Sequence, residues 1–302
     1  MASADAPKIE QGEKVALVLG AGGARGLAQI GVIQALEARG LNIVTIAGAS
    51  SGALVGGLHA AGKLDAYRDW LYGLDRLDML RLLDPALGSA ALFRGNRLMD
   101  ALREIAGSPR IEDLAIDFTA VAVDLLRQRE VWLREGDLWD AIRASIAIPG
   151  LFTPHEVHGR ELVDGGLLAP LPIAATRLSD AHRLIAVDMH GWPRRPPGKP
   201  AEEASTTAPS NHSWLTSWWQ RHGVEHGSGA PHVPDIGFTE LMARSLDTMQ
   251  AQIARVQLAL DPPELVIRIP RDTCQFYEFW RAKELIEIGR AEADKALDTA
   301  GY

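Results

Sequence analysis

Short, continuous apolar runs alternate along the chain with longer stretches in which apolar residues recur every three or four positions. Residues 15–19 (Val-Ala-Leu-Val-Leu) form the first run, apolar throughout, as a strand buried on both faces requires. From Leu27 to Arg39, Ile30, Ile33 and Leu36 keep helical spacing, and Gly40 closes the helix. Ile43, Val44 and Ile46 predict a second strand, and residues 53–58 predict a small-residue helix that ends at Gly62. The sequence therefore opens with a βαβ unit, whose strands should pair in parallel with a right-handed crossover. Residues 63–112 read as mixed helical segments, interrupted at Asp84-Pro85 and again at Gly107-Ser108-Pro109. Strands follow over 118–123 and 130–133, then a helix over 138–145 with Asp137 as its N-cap. Val157 and residues 161–163 flank a turn at His158-Gly159, the pattern of a hairpin. Further strands are predicted at 184–188 and 265–269, and a final amphipathic helix at 276–297. The helix over 236–260 should pack on the sheet through Leu241, Leu246, Met249, Ile253 and Val256. Alternation of strands and helices without an internal repeat predicts one α/β domain, residues 14–300, around a mainly parallel sheet.

Composition changes this picture in one place. Residues 191–235 are rich in Pro, Ser, Gly and His and read as a long insertion. Three of the chain's eight tryptophans, Trp214, Trp218 and Trp219, fall inside it, beside Arg221 and His222. Tryptophan in a polar loop suits an anchor at a lipid headgroup boundary, and it equally suits a loop that plugs a gap in the core. The net charge of -8, with no basic stretch, argues against a nucleic-acid partner. A single cysteine, Cys274, excludes an internal disulfide and a thiolate metal site. The tail, residues 1–13, is polar, with no apolar signal-peptide core, and no run approaches the roughly 20 apolar residues of a spanning helix. The expectation is a soluble, cytoplasmic protein with peripheral membrane contact at most; no feature sets its oligomeric state.

The chemistry gathers where predicted strands end. Gly48-Ala49-Ser50-Ser51-Gly52 has the G-x-S-x-G spacing of a strand entering a helix through a strained turn. Gly48 and Gly52 leave room for the turn, and Ser50 is pushed out at a helix N-terminus, where the dipole favours developing negative charge. Ser50 is thus a candidate nucleophile. The loop after the first strand, Gly20-Ala21-Gly22-Gly23-Ala24-Arg25-Gly26, fits three readings: a dinucleotide-binding turn, an oxyanion hole of free N–H groups, or a tight structural turn. A dinucleotide site wants an acidic residue at the end of the second strand, where this chain has Gly48-Ala49-Ser50. Of the nine histidines, those after residue 190 lie in the insertion or its margin, so a late triad histidine finds little support. His155 and His158 flank a turn with no third ligand, and no metal is expected. Asp164, followed by Gly165-Gly166, is the better candidate base, although Asp-Gly-Gly is also a common turn.

Taken together, residues 17–27, residues 48–52 and Asp164-Gly165-Gly166 resemble the patatin-like phospholipases. Residues 144–152 look like the family's segment leading to the aspartate, and residues 244–250 like a helix of its bacterial members. The resemblance implies a three-layer α/β/α fold, Ser50 as nucleophile, Asp164 as general base, and an oxyanion hole at Gly22, Gly23, Arg25 and Gly26. It also implies hydrolysis of carboxylic esters in lipids through an acyl-serine, with neither metal nor cofactor. The sequence departs from the family pattern at Ala21, Gln29, Ser51 and Ala169, none of which removes a catalytic group. A catalytically silent binding or regulatory relative and a nucleotide-binding dehydrogenase are the alternatives.

Overall fold

A computed structural model describes residues 12–82, 84, 91–177, 179–194 and 238–302. Most of the tail and of the insertion, with Trp214, Trp218 and Trp219, therefore lie outside the described residues, as do Pro85 and the expected start of the helix at 236. The strands are β1 (Lys14–Leu19), β2 (Asn42–Ala49), β3 (Asp117–Asp124), β4 (Arg129–Leu133), β5 (His155–Val157), β6 (Arg160–Asp164), β7 (Arg183–Gly191) and β8 (Leu265–Pro270). The helices are α1 (Ala28–Ala38), α2 (Ser51–Ala60), α3 (Leu64–Tyr72), α4 (Arg76–Leu82), α5 (Asn96–Ala106), α6 (Leu138–Ser145), α7 (Phe238–Leu260) and α8 (Ala282–Ala300).

β1, β2, β3, β7 and β8 pair in parallel, with β1 between β2 and β7; β4 to β6 join antiparallel at the β3 side. This is the mainly parallel α/β sheet expected. Every β1 residue after Lys14 is buried, because both faces are covered. On one face Leu17, Leu19 and Ile46 pack with Ile33 of α1, Ile142 of α6 and Leu285 of α8. On the other, Val18 and Ala186 meet Leu171, Ile173 and Ala254 of α7. α1 and α8 touch through backbone: a methyl group on Gly289 would lie 1.8 Å from the Ala28 carbonyl oxygen. The Asp137 carboxylate caps α6 as expected, accepting from the N–H groups of Trp139 and Asp140 at 2.9 and 3.0 Å.

Two expectations are corrected. The last helix begins at Ala282, not 276, because Phe276 is held by the glycine-rich loop: its carbonyl accepts the Ala24 N–H at 2.9 Å. α7 also buries a shifted face, on which Leu246 and Ile253 stay half-buried as expected. Leu241, Met249 and Val256 are 51%, 53% and 55% exposed, whereas Ala251 and Ala254 are buried. Small side chains let the helix lie close against Val18 and Ala186, and Gln257 accepts the Leu171 N–H at 3.1 Å. Among the described residues, no helix is long and apolar enough to cross a membrane.

Candidate active site

The strand register brings the two principal candidates together. β3 residues Ala120 and Val121 pair with β2 on one edge and β4 on the other. Residues Ala122 to Asp124 pair with β4 and β6. β2 and β6 therefore share one edge of β3, end to end: Ala49 faces Val121, and Asp164, arriving antiparallel, faces Ala122. The chain leaves β2 at Ser50 just where β6 delivers Asp164.

Ser50 occupies a strained elbow, with φ 55° and ψ -125°, between β2 and α2. A side chain at residue 48 would meet Gly52 backbone at 2.5 Å, and one at residue 52 would lie 2.1 Å from the Leu19 carbonyl oxygen. The two glycines are thus required by close packing of β1, β2 and α2, as the spacing implies. The strain is held by Ser145, at the end of α6 and fully buried. Its Oγ accepts the Ser50 N–H at 2.9 Å and donates to the Val121 carbonyl at 2.6 Å. Two residues on, the Ala147 carbonyl accepts the Asp164 N–H at 3.0 Å, so one short segment holds both candidates. Ser145 lies within the segment carrying the family resemblance, but sequence reasoning gave it no role. Its signal was a lone hydroxyl between Ala144 and Ile146-Ala147-Ile148.

Asp164 is 1% exposed, and Ser50 4%. Burial pushes the Asp164 carboxyl up to about 7; hydrogen bonding from Ser50 and the Gly166 N–H opposes the rise. Oδ1 accepts that N–H at 2.7 Å. The Ser50 hydroxyl lies within reach of the carboxylate, and Oδ2 has no hydrogen-bond partner among the described residues. Gly165 is forced by space, since a methyl group there would lie 2.0 Å from the Val121 carbonyl oxygen.

The glycine-rich loop enters a 3-10 turn, Gly23–Leu27, after β1 and beside Ser50. Neither the Gly22 nor the Gly23 N–H finds an acceptor among the described residues. The Arg25 N–H is already given to the Gly22 carbonyl at 3.2 Å, so Arg25 bears on the loop through its guanidinium. A side chain at Gly26 would lie 2.1 Å from Ser51 Oγ; Gly26 is the point where the loop meets α2. The family departures are accommodated. Gln29 is buried and donates to the Gly20 carbonyl at 3.1 Å, and Ala21 and Ala169 pack with Ala47 and Ala49. His155 pairs with Asp140 at 3.0 Å, and His158 takes φ 51° in the hairpin turn; neither approaches Ser50 through any contact described.

A parallel α/β sheet with a serine elbow at its C-terminal edge, facing a buried carboxylate and unpaired loop amides, is the framework of a hydrolase. The patatin-like phospholipase family model matches residues 17–177, and the chain belongs to that family. An uncharacterized NTE family protein of Mycobacterium tuberculosis is 43% identical over 94% of this chain and 91% of its own length. The lysophospholipase NTE1 of Debaryomyces hansenii is 29% identical over 96% of this chain, which spans 18% of that protein. VipD of Legionella pneumophila shares the fold with a TM-score of 0.56, at 14% identity over 97% of this chain and 68% of VipD. Family and relatives together support a lipid hydrolase.

Proposed function

We propose that the protein is a serine esterase of the lipid acyl hydrolase type, of phospholipase A or lysophospholipase specificity, working through a Ser50–Asp164 dyad. The observation that carries this reading is the end-to-end meeting of β2 and β6 on β3, which sets Ser50 beside a carboxylate whose pKa is raised to about 7. A base with a pKa near the working pH takes and returns protons most effectively. In the first step Ser50 Oγ attacks the ester carbonyl carbon while its proton passes to Asp164. The oxyanion is received by the Gly22 and Gly23 N–H groups and by the N-terminal end of α2, donors typically worth about 10² to 10³ in rate each. Collapse of the tetrahedral intermediate breaks the bond to the alcohol, which leaves with the proton from Asp164. Water then gives its proton to Asp164, attacks the acyl-serine and releases the fatty acid, and Ser50 recovers its proton.

A dinucleotide reading of the loop is disfavoured at the end of β2, where Gly48-Ala49-Ser50 stand in place of the acidic residue that such a site uses. Fluorophosphonate labelling, with the modified peptide located by mass spectrometry, tests the proposal. Label should sit on Ser50 and vanish in Ser50→Ala and Asp164→Asn. A folded wild type that takes no label, with and without detergent, would favour a silent lipid-binding relative. Trp214, Trp218 and Trp219 complete the proposal as a peripheral contact with a lipid surface. Liposome flotation reads it: binding that is absent, or unchanged in Trp218→Ala, removes this part.

A further inference from the structure

The peptide joining Gly22 to Gly23 is a rigid plane whose C=O and N–H point in opposite directions when trans, and no cis peptide occurs among the described residues. Whatever grips the Gly22 carbonyl therefore aims the Gly23 N–H. Arg25 grips it twice, through its backbone N–H at 3.2 Å and its side-chain Nε at 3.5 Å. The second contact is long and depends on how the guanidinium is held. Nη1 donates to the Arg271 carbonyl at 3.0 Å, and Nη2 pairs with the carboxylate of Asp247 on α7. The Arg25 side chain is buried while Asp247 is a third exposed, so the carboxylate closes the outer side of the guanidinium. Behind it stands His190 of β7, also buried, with Nε2 3.6 Å from the same Asp247 oxygen and Nδ1 3.6 Å from Asp188. Among the described residues His190 Nε2 has no hydrogen-bond partner, and its ring lies against the carboxylate.

We propose that Asp247 is a positioning residue for the reaction: its carboxylate fixes the Arg25 guanidinium, Arg25 fixes the Gly22–Gly23 peptide, and that peptide presents its N–H to the oxyanion. The inference rests on the ester-hydrolase reading of the site. Negative charge on the substrate oxygen is greatest in the transition state, so a misaimed N–H costs turnover and leaves ester binding almost intact. Displacing a catalytic group by about 1 Å can cost about 10²-fold in rate. α7 thereby bears on the reaction through Asp247, one turn before the alanines that pack on the sheet.

The test is steady-state hydrolysis of p-nitrophenyl butyrate by the full chain, with melting curves, for wild type, Asp247→Asn, Asp247→Ala, Asp247→Glu and Ser50→Ala. Asp247→Asn and Asp247→Ala should lower kcat about 10- to 100-fold with KM within about twofold, and Asp247→Glu should restore most of the turnover. Unchanged kcat in both neutral variants overturns the proposal. So does a rise in KM that accounts for the loss, or a fall in kcat that follows the fall in Tm across all three variants, Asp247→Glu included. Ser50→Ala separates the two levels. If it matches wild type, the esterase reading itself fails; if it is inactive while the Asp247 variants are normal, the positioning role alone fails.

Discussion

Replacing Asp164 by asparagine should abolish turnover and at the same time stabilise the protein at high pH. The fully buried carboxyl has its pKa raised from 3.8 to about 7, with burial as the main cause. Between those values the native state holds a proton that the unfolded chain has lost. The stability supplied by this proton is complete below the unfolded pKa and disappears as pH rises through about 7. The gap of about 3 in pKa, at 1.36 kcal/mol each, makes the ionised buried carboxylate cost about 4 kcal/mol at pH 8. At pH 4.5 most of that cost is absent and about 1 kcal/mol remains. Asparagine has nearly the same shape, keeps an oxygen for the Gly166 N–H and carries no charge at either pH. The stability difference between Asp164→Asn and wild type should therefore shift by about 3 kcal/mol in favour of the variant from pH 4.5 to pH 8. That corresponds to roughly 5 °C in Tm for a chain of this size. Urea or thermal denaturation at both pH values measures it, and comparing the shift cancels any constant cost of burying the amide. A pH-independent difference, or a variant that loses ground at pH 8, would refute the idea that burial sets this carboxyl's affinity for protons.

The same carboxyl should give wild-type kcat/KM an acidic limb, falling about tenfold per pH unit below about pH 7, as a base that must be ionised demands; a flat profile from pH 5 to 8 sinks the assignment. Ser145→Ala removes the acceptor of the Ser50 N–H and the donor to Val121, both buried. It should cost about 1–3 kcal/mol in denaturant unfolding and slow fluorophosphonate labelling more than it weakens the fold. Gly52→Ala sets a methyl group 2.1 Å from the Leu19 carbonyl oxygen and should displace the elbow, so labelling of Ser50 should fall at least about tenfold. Gly289→Ala meets the Ala28 carbonyl at 1.8 Å, where α8 lies against α1. It should destabilise by about 1–3 kcal/mol in denaturant unfolding, and an unchanged midpoint would refute the close backbone contact.

How far the sequence could be read depended on whether a feature was local. The strained turn at Ser50 needs room that Gly48 and Gly52 provide within two residues, so its geometry could be anticipated from five letters. The βαβ unit was equally open, because the apolar run 15–19 and the helical spacing of Ile30, Ile33 and Leu36 each declare their own period. The meeting of Ser50 with Asp164 is different in kind. It depends on β3 offering a single edge to a parallel strand and then to an antiparallel one, a register carried by residues 117–124 that contain no catalytic group. Nothing at Asp164 itself separates that arrangement from an ordinary Asp-Gly-Gly turn; only the resemblance to a family did. Ser145 was hidden for the same reason, since its partners lie 95 and 24 residues away. The inner face of α7 follows its apolar stripe only in part, at Leu246 and Ile253. Leu241, Met249 and Val256 carry the periodic signal, yet close approach to the sheet favours alanine, and Asp247 and Gln257 are turned inward by the hydrogen bonds that await them. A helix that borders a reactive centre is shaped by that centre's polar needs, so its apolar stripe is a poor guide to the side it buries. The same reasoning explains how a site of this kind, on the proposed reading, works without histidine. Enclosing the β2–β6 junction between α2, the 145–147 segment and α7 removes water from Asp164, and loss of water alone brings a carboxylate into the range where imidazole ordinarily serves.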